Sequence, residues 1–503
     1  MSFIGQRADV YARIIDATRG GVKGTSTSIG ATVIRSSKGV PNKVITVEQS
    51  TLKTLFGNPL KGDESYYQLY AFLQKAQAGN EVRVVDTNAK FPSLSQKTSD
   101  GALVTANHSY GSDLVLGADA HIAFFVKDGS AGNNFGLDIS NVGATFFLKI
   151  YANDSGSNTL LETWECSVDE NAVDADGDSL FVENVLRQSL YLGARVKAGA
   201  ATSDMKVVVS PVFFTGGTIG SAPSAQDHIN AWDALSVEGV EVNLAFSGGQ
   251  VDPTVLQKML TVTEEKRGHC FVDTPKTIET SADAVTWAKT TLGLTSGMLD
   301  VYYGNLECAD PFFAGRVKLG VCGMAAGACA LGDSTLGVHA SPAGETRGKI
   351  TQFTSISLLN PLKNSDLETL ATNRINPVVP SNAGGVVIWD AWTRFGQKSS
   401  QEYTHVVRVA NYVIRTLKSS FRSILHEPGN EDFKETVERT CKAVLDPLVT
   451  SGALVIPASS AMKSPYELEI YQDVIEQDTW YVRPFISVVN VARRMALEPV
   501  LIK

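Results

Sequence analysis

The stretches of this sequence that come nearest to catalytic spacing each miss it in a definable way. Gly20-Gly21-Val22-Lys23-Gly24 offers glycines and a lysine, as a loop cradling phosphate would. It does not fit Gly-x-x-x-x-Gly-Lys-Ser/Thr, and no strong strand precedes it, so it reads as a flexible hinge. Gly332-Asp333-Ser334-Thr335-Leu336 begins like the strained turn that exposes a nucleophilic serine, but leucine stands where the second glycine belongs. Asp174, Asp176 and Asp178 alternate as calcium ligands do, yet Ser179 and Val185 occupy the positions that need glycine and a bidentate glutamate. That run reads as an acidic surface turn. The seven histidines form no metal-binding pair, and His269 beside Cys270 reads as a packed residue at the start of a strand. Cysteines at 166, 270, 308, 322, 329 and 441 show no Cys-x-x-Cys spacing, which predicts buried free thiols in a reducing compartment. These residues lead to an expectation of no catalytic set, no cofactor and no metal.

One constellation is stronger, and its chemistry is electrostatic. Over residues 403–425, Val406, Ala410, Val413, Ile414, Leu417, Phe421 and Ile424 follow helical spacing and define an apolar face. Arg408, Arg415, Lys418 and Arg422 fall opposite, and no carboxylate lies between Glu402 and Glu427. A solvated helix face normally mixes signs, so a cationic stripe in a chain of net charge −9 points to an anionic partner. The plainer reading is a solvated face paired with carboxylates elsewhere in the chain.

The elements that carry this stripe belong to a large folded protein. A chain of 503 residues with 43% hydrophobic content supplies core for roughly three domains. The acidic balance argues against nucleic acid as the main partner. No run approaches the roughly 18 apolar residues of a membrane span. Residues 1–16 lack a signal peptide's charged start and apolar centre, so synthesis and folding in cytosol are expected. SIGATVIRS and NKVITVEQS read as strands, and DESYYQLYAFLQKAQAGNEVRVVD as a helix feeding a strand. From about 91 to 215 the chain turns rich in Ser, Gly, Asn and Asp around strand runs, with one helix predicted at SLFVENVLRQSLYL. After TGGTIGSAPS, strands and helices alternate: a capping pattern at Ser224 and Asp227, the strand VEVNLAF, a helix opened by Asp252-Pro253, and the strand CFVDTP. That alternation implies parallel pairing in an open sheet. Asn430 is placed to cap a second helix whose stripe Phe433, Val437, Cys441, Val444, Leu445 and Leu448 packs on the first, with Gly452 closing it.

Several stretches, in order, resemble the contractile tail sheath proteins of phages, tailocins and related injection systems. They are VYARIIDATRGG through Phe56-Gly57, with Gly39-Val40-Pro41 departing in order from the family's Gly-Pro-Val turn; GNEVRVVD; DGSAGNNFGLDIS; LETWECS followed by SLFVENVLRQSLYLGARV; LTVTEEKRGHCFVDTP; INPVVPSNAGGVVIWDAWTRF; and ILHEPGNEDFKETVERTCKAVLDPLVTSGAL. The resemblance implies hexameric rings stacked helically around an inner tail tube, and terminal arms that add strands to neighbouring subunits' sheets. It gives a reason for the apolar terminal tail, in which Val488, Val491, Met495, Leu497, Val500, Leu501 and Ile502 would be covered by another copy, and in which Pro499 suits a donated edge strand. Val10, Tyr11, Ala12, Arg13 and Ile14 would play the same part at the start of the chain.

The expected fold is α/β and α+β multidomain. It comprises an N-terminal arm (1–22), a central open α/β sheet domain (23–95 and 216–350) and an inserted, outward-facing, mainly β domain (96–215). A tube-facing C-terminal α+β domain (351–485) and a C-terminal arm (486–503) complete it. Expected partners are the chain itself, the inner tube through Arg408, Arg415, Lys418 and Arg422, and baseplate and tail terminator proteins, with neither nucleic acid nor membrane insertion. The expected location is a virion tail assembled in host cytoplasm. Two other classes stay open: an α/β enzyme with an inserted β domain, and another homopolymeric virion component.

Overall fold

Short β-branched runs buried on both faces make the central sheet, because only strands covered by helices on each side can be apolar throughout. The computed structural model describes residues 25–108, 114, 116–154, 156–457 and 462–493. The chain divides into two compact units, Ser28–Thr335 with Ala340–Val407, and Arg408–Lys503 with Met1–Thr27 and Leu336–His339.

The first unit begins with β1 (Gly30–Ile34), β2 (Val44–Val47) and β3 (Gly79–Arg83). A β-rich insertion follows: β4 (Phe91–Lys97), β5 (Leu103–His108), β6 (Ala120–Val126), β7 (Phe135–Ser140), β8 (Phe146–Asp154), β9 (Ser157–Cys166), β10 (Leu192–Val196) and β11 (Val208–Phe213). The chain then returns with β12 (Leu244–Phe246), β13 (His269–Asp273), β14 (Leu299–Tyr303), β15 (Leu306–Ala309), β16 (Arg316–Leu319), β17 (Ser357–Leu358), β18 (Asn376–Pro380) and β19 (Val386–Ile388).

Eight of these strands form one sheet in the order β19-β18-β14-β13-β12-β1-β3-β2. Its six inner strands are parallel, with Ala31 opposite Asn80 on one side and Ala245 on the other, and the two edges are antiparallel. Alternation along β1 sorts the core into two layers: Ile34 joins one with the Ser65–Leu73 and Cys322–Thr335 helices, while Ala31 and Val33 join the other with the Pro253–Glu265 helix. Those first two helices approach so closely that a Cβ on Gly323 would meet the Gln68 carbonyl at 2.3 Å.

The insertion is a two-layer sandwich of sheets β10-β6-β4-β5 and β11-β7-β8-β9. Leu94, Ile122 and Phe124 from one layer bury against Leu137, Leu148 and Ile150 from the other. A bridge between Lys90 and Thr218 closes its neck. Arg83, fully buried, donates to the carbonyls of Ser36 (3.1 Å), Gly39 (2.6 Å) and Gly129, which ties the turn after β1 to the insertion.

Two expectations need correction here. The helix predicted at SLFVENVLRQSLYL reduces to one turn, Val182–Val185, followed by β10, because its apolar residues line the sandwich rather than one helical face. Residues 351–407, assigned from sequence to a C-terminal domain, instead supply β18 and β19 to the large sheet, and Leu370 and Ile375 to its core. The two prolines of Asn376–Pro380 argue locally for a loop and so obscure a strand that β14 and β19 pair on either side.

The second unit packs helix Glu431–Thr450 against the C-terminal part of helix Thr404–Phe421, with Val409, Val413 and Leu417 facing Val437, Cys441, Val444 and Leu448. Asn430 accepts from the Phe433 amide (3.0 Å) to cap the former, and Gly452, at φ 75°, turns the chain out of it. A hairpin of β20 (Tyr466–Gln472) and β21 (Trp480–Ile486) lays Tyr466, Leu468, Ile470, Val482 and Ile486 on the same core.

Candidate assembly surfaces

One place where an open α/β sheet would hold a ligand is filled by the chain itself. In such sheets anions bind beyond the carboxyl ends of the strands, often on a helix N-terminus. Here that position at helix Cys322–Thr335 is taken by Asp273, which accepts from the amides of Val321 (2.8 Å) and Cys322 (3.0 Å), while Gln68 accepts from Gly323 (2.9 Å). Glu64 accepts from Gly320 and pairs with Lys276 at 2.5 Å. Burial first, and the charge of Glu64 second, push the Asp273 carboxyl up to about 6.

The other candidates resolve in the same direction. His269 is buried against Asp300 (2.8 Å), but the nearby hydroxyls of Thr404 (2.7 Å) and Tyr302 (3.2 Å) donate to that carboxylate and not to the imidazole, which is no arrangement for activating a nucleophile. Asp174 turns its carboxylate onto the amides of Asp176 and Asp178, both at 2.9 Å. Ser334 lies inside a helix, its hydroxyl on the Leu331 carbonyl. All six cysteines are buried and unpaired with one another, and burial raises the thiols of Cys166 to about 12 and Cys441 to about 11. Among the described residues no group of three or more His, Cys, Asp or Glu is placed to hold a metal ion, and no helix is long and apolar enough to cross a membrane.

The basic stripe splits into two halves. Lys418 and Arg422 are exposed. Arg408 is only 4% exposed and donates to the Thr27 carbonyl (3.4 Å), and Arg415, half-buried, donates to the Ser26 carbonyl (3.1 Å). The Thr25 and Thr416 hydroxyls bond to each other at 3.1 Å. The chain's own residues 25–27 therefore cover the first half of the expected cationic face. The apolar face is rotated to match: Val409 is fully buried, whereas Ile414, expected in the core, is 40% exposed. A helical wheel separates two faces but does not fix which boundary residues a distant segment will cover.

Of the residues expected to exchange between subunits, Val10, Tyr11, Ala12, Arg13, Ile14, Met495, Leu497, Val500, Leu501 and Ile502 lie outside the described residues. Val491 is described and half-buried. Just before it, the expected uncovered tail is in fact paired within the chain: Val488 bridges Leu454, Val455 donates to Ser487, and Val489 donates to Ala453, both at 2.9 Å. The hairpin itself is the feature that sequence reading missed. Its sheet has two strands, one face on the helices and the other carrying Glu467, Glu469, Tyr481, Arg483 and Phe485 outward. The alternation of YELEIYQ and WYVRPFI signals such a hairpin once the helix before it is recognised.

The fold is that of tail sheath proteins. It superposes on the sheath tail protein from Listeria innocua with a TM-score of 0.60 over 92% of this chain and 96% of that one, at 13% identity. The contracted helical sheath of the anti-feeding prophage gives 0.56 over 99% of each chain at 12% identity, and the sheath tail protein from Desulfitobacterium hafniense gives 0.56 over 96% and 100% at 12% identity. Comparison with curated protein sequences finds no match. Residues 221–393 match the family model described as phage tail sheath protein central domain. That segment runs from the entry into the central sheet's second half through β19 to Thr393. The family match over 221–393 and the likeness of fold both point to tail sheath proteins as what this chain is similar to.

Proposed function

We propose that this chain is the structural subunit of a contractile tail sheath, polymerising as stacked hexameric rings around an inner tail tube and contracting to drive that tube through a target envelope. The observation that carries the reading is the sheath central-domain match at 221–393, set in a fold that follows sheath proteins over more than nine-tenths of the chain. The role is mechanical and not enzymatic: the anion position at helix Cys322–Thr335 is closed by Asp273 and Gln68, and energy for movement comes from exchanging one set of subunit contacts for another. In this reading the particle is a virion tail assembled in host cytoplasm, ending on baseplate and tail terminator proteins.

Two surfaces serve assembly. Lys418 and Arg422 face the tube, the remainder of the stripe being occupied by residues 25–27. The terminal segments, Val10–Ile14 and the residues from Val491 onward, add strands to hairpins of neighbouring copies. Electron microscopy of the purified protein tests the reading: hollow cylinders or long polymers are expected, and a monodisperse monomer that turns over a substrate overturns it.

A further inference from the structure

We propose that residues 25–27 are a removable cover over the other half of the basic stripe, and that this cover lifts when the subunit meets an acidic tube surface. The inference rests on the sheath reading above and adds Arg408 and Arg415 to the tube contact of the assembled subunit.

The cover is short and fixed at one end. Thr27 and Ser26 each give a backbone carbonyl, to Arg408 at 3.4 Å and to Arg415 at 3.1 Å, and the Thr25 hydroxyl meets that of Thr416 at 3.1 Å. All three residues are half-buried, so one side of the cover stays open to solvent. Immediately afterwards the chain is held in the sheet: the Ile29 amide donates to Asn243 Oδ1, and the Ile29 carbonyl accepts from the amides of Asn243 and Leu244, each at 3.1 Å. Lifting the cover therefore asks for rotation near Ser28 and leaves the pairing of β1 with β12 and β3 intact.

An acidic surface is the competitor that the cover would lose to. A guanidinium gains more from a carboxylate, which takes two parallel bonds and brings the opposite charge, than from a single neutral carbonyl. The Thr404–Phe421 helix carries no carboxylate of its own. With the cover off, Arg408, Arg415 and Lys418 lie along about 15 Å of helix, and Arg422 follows just past its end. The coupling works in both directions. A neighbour that engages the chain before Thr25 draws the cover away and raises affinity for the tube, and a tube that captures Arg415 releases the same chain to a neighbour. In the unassembled subunit half of the cationic face stays shut, which favours coating the tube beside copies already in place.

A reversible lock tests the cover. Thr25→Cys with Thr416→Cys sets two thiols where the hydroxyls now touch, and the six native cysteines are buried, so oxidation joins the introduced pair within one chain. Full-length subunits, oxidised or reduced, are co-sedimented at low salt with inner tubes from the same particle. Locked subunits should bind about tenfold more weakly than wild type, as expected for two lost ion pairs, and reduction should restore binding. Equal binding by the locked and reduced forms overturns the proposal, because the cover then stays down on the tube. A wild-type subunit that binds no tube overturns the sheath reading, and the proposal with it. Arg415→Gln separates tube contact from any effect of the lock on polymerisation, since glutamine keeps a donor for the Ser26 carbonyl and removes the charge. It should weaken tube binding to within about twofold of Lys418→Gln. Wild-type binding by Arg415→Gln beside a weakened Lys418→Gln overturns the proposal.

Discussion

Charge reversal on the Thr404–Phe421 helix and its continuation separates the two halves of the basic stripe. Lys418→Glu with Arg422→Glu alters two exposed side chains, so the subunit's stability should fall by no more than about 1 kcal/mol. Its effect should appear in assembly. Exposed ion pairs contribute about 0.2–1 kcal/mol each. With the hexameric rings proposed above, two per subunit give about 2–12 kcal/mol per ring, half of what four tube-facing cations would supply. Arg408→Glu should behave in the opposite way. At 4% exposure it would set a carboxylate against the Thr27 carbonyl in place of a donor, at a cost of about 3–5 kcal/mol to the fold. Calorimetry of the soluble subunit reads the first quantity, and co-sedimentation with tubes across a salt series reads the second. The exposed pair should lose tube coating most severely at low ionic strength, where repulsion is least screened. Normal coating by Lys418→Glu/Arg422→Glu at low salt, or a wild-type melting curve for Arg408→Glu, would refute the division of the stripe.

Three further outcomes are expected. Arg83→Met leaves buried carbonyls at Ser36, Gly39 and Gly129 without their donor and should lower stability by about 3 kcal/mol or more, read as a fall in the denaturant midpoint. Deletion from Val491 onward spares the pairing of Val488 with Leu454, so the subunit should stay soluble and folded but form no cylinders under the electron microscope. Asp273 has its folded pKa raised from 3.8 to about 6, so the stability it contributes is complete below about pH 4 and is lost as pH rises through 6. Wild type minus Asp273→Asn should therefore fall by about 3 kcal/mol between pH 3 and pH 8, and a flat difference would show that this carboxyl titrates normally.

What could be read from the sequence was local. The Asp252 cap, with its carboxylate on the Thr254 amide at 2.8 Å, and the Asn430 cap are written in neighbouring residues, and so is the alternation that builds β12, β13 and β14. Features decided at long range were not legible. β18 is a strand because β14 and β19 flank it, although Pro377 and Pro380 argue locally for a loop. Arg408 looks like a solvent-facing cation until residue 27, 381 positions earlier, supplies the carbonyl beside it. Amphipathic periodicity fixes which residues share a side of a helix. It carries no information about a segment hundreds of residues away that lies down on one edge of that side.

The hairpin explains why the candidate site was the least legible part. A two-stranded sheet is marginal on its own and holds here because Leu468, Ile470 and Val482 bury against helices. Its edges are a liability in a soluble subunit, since any extended chain can pair with them. Pro484 blunts one edge by removing a donor. On the other, Glu467 and Glu469 face outward, Glu469 paired with Arg483 across the hairpin at 3.5 Å, and charge on an edge strand discourages unselected pairing. A surface of this kind has no constellation of reactive residues for a motif to capture, because its chemistry is the backbone's.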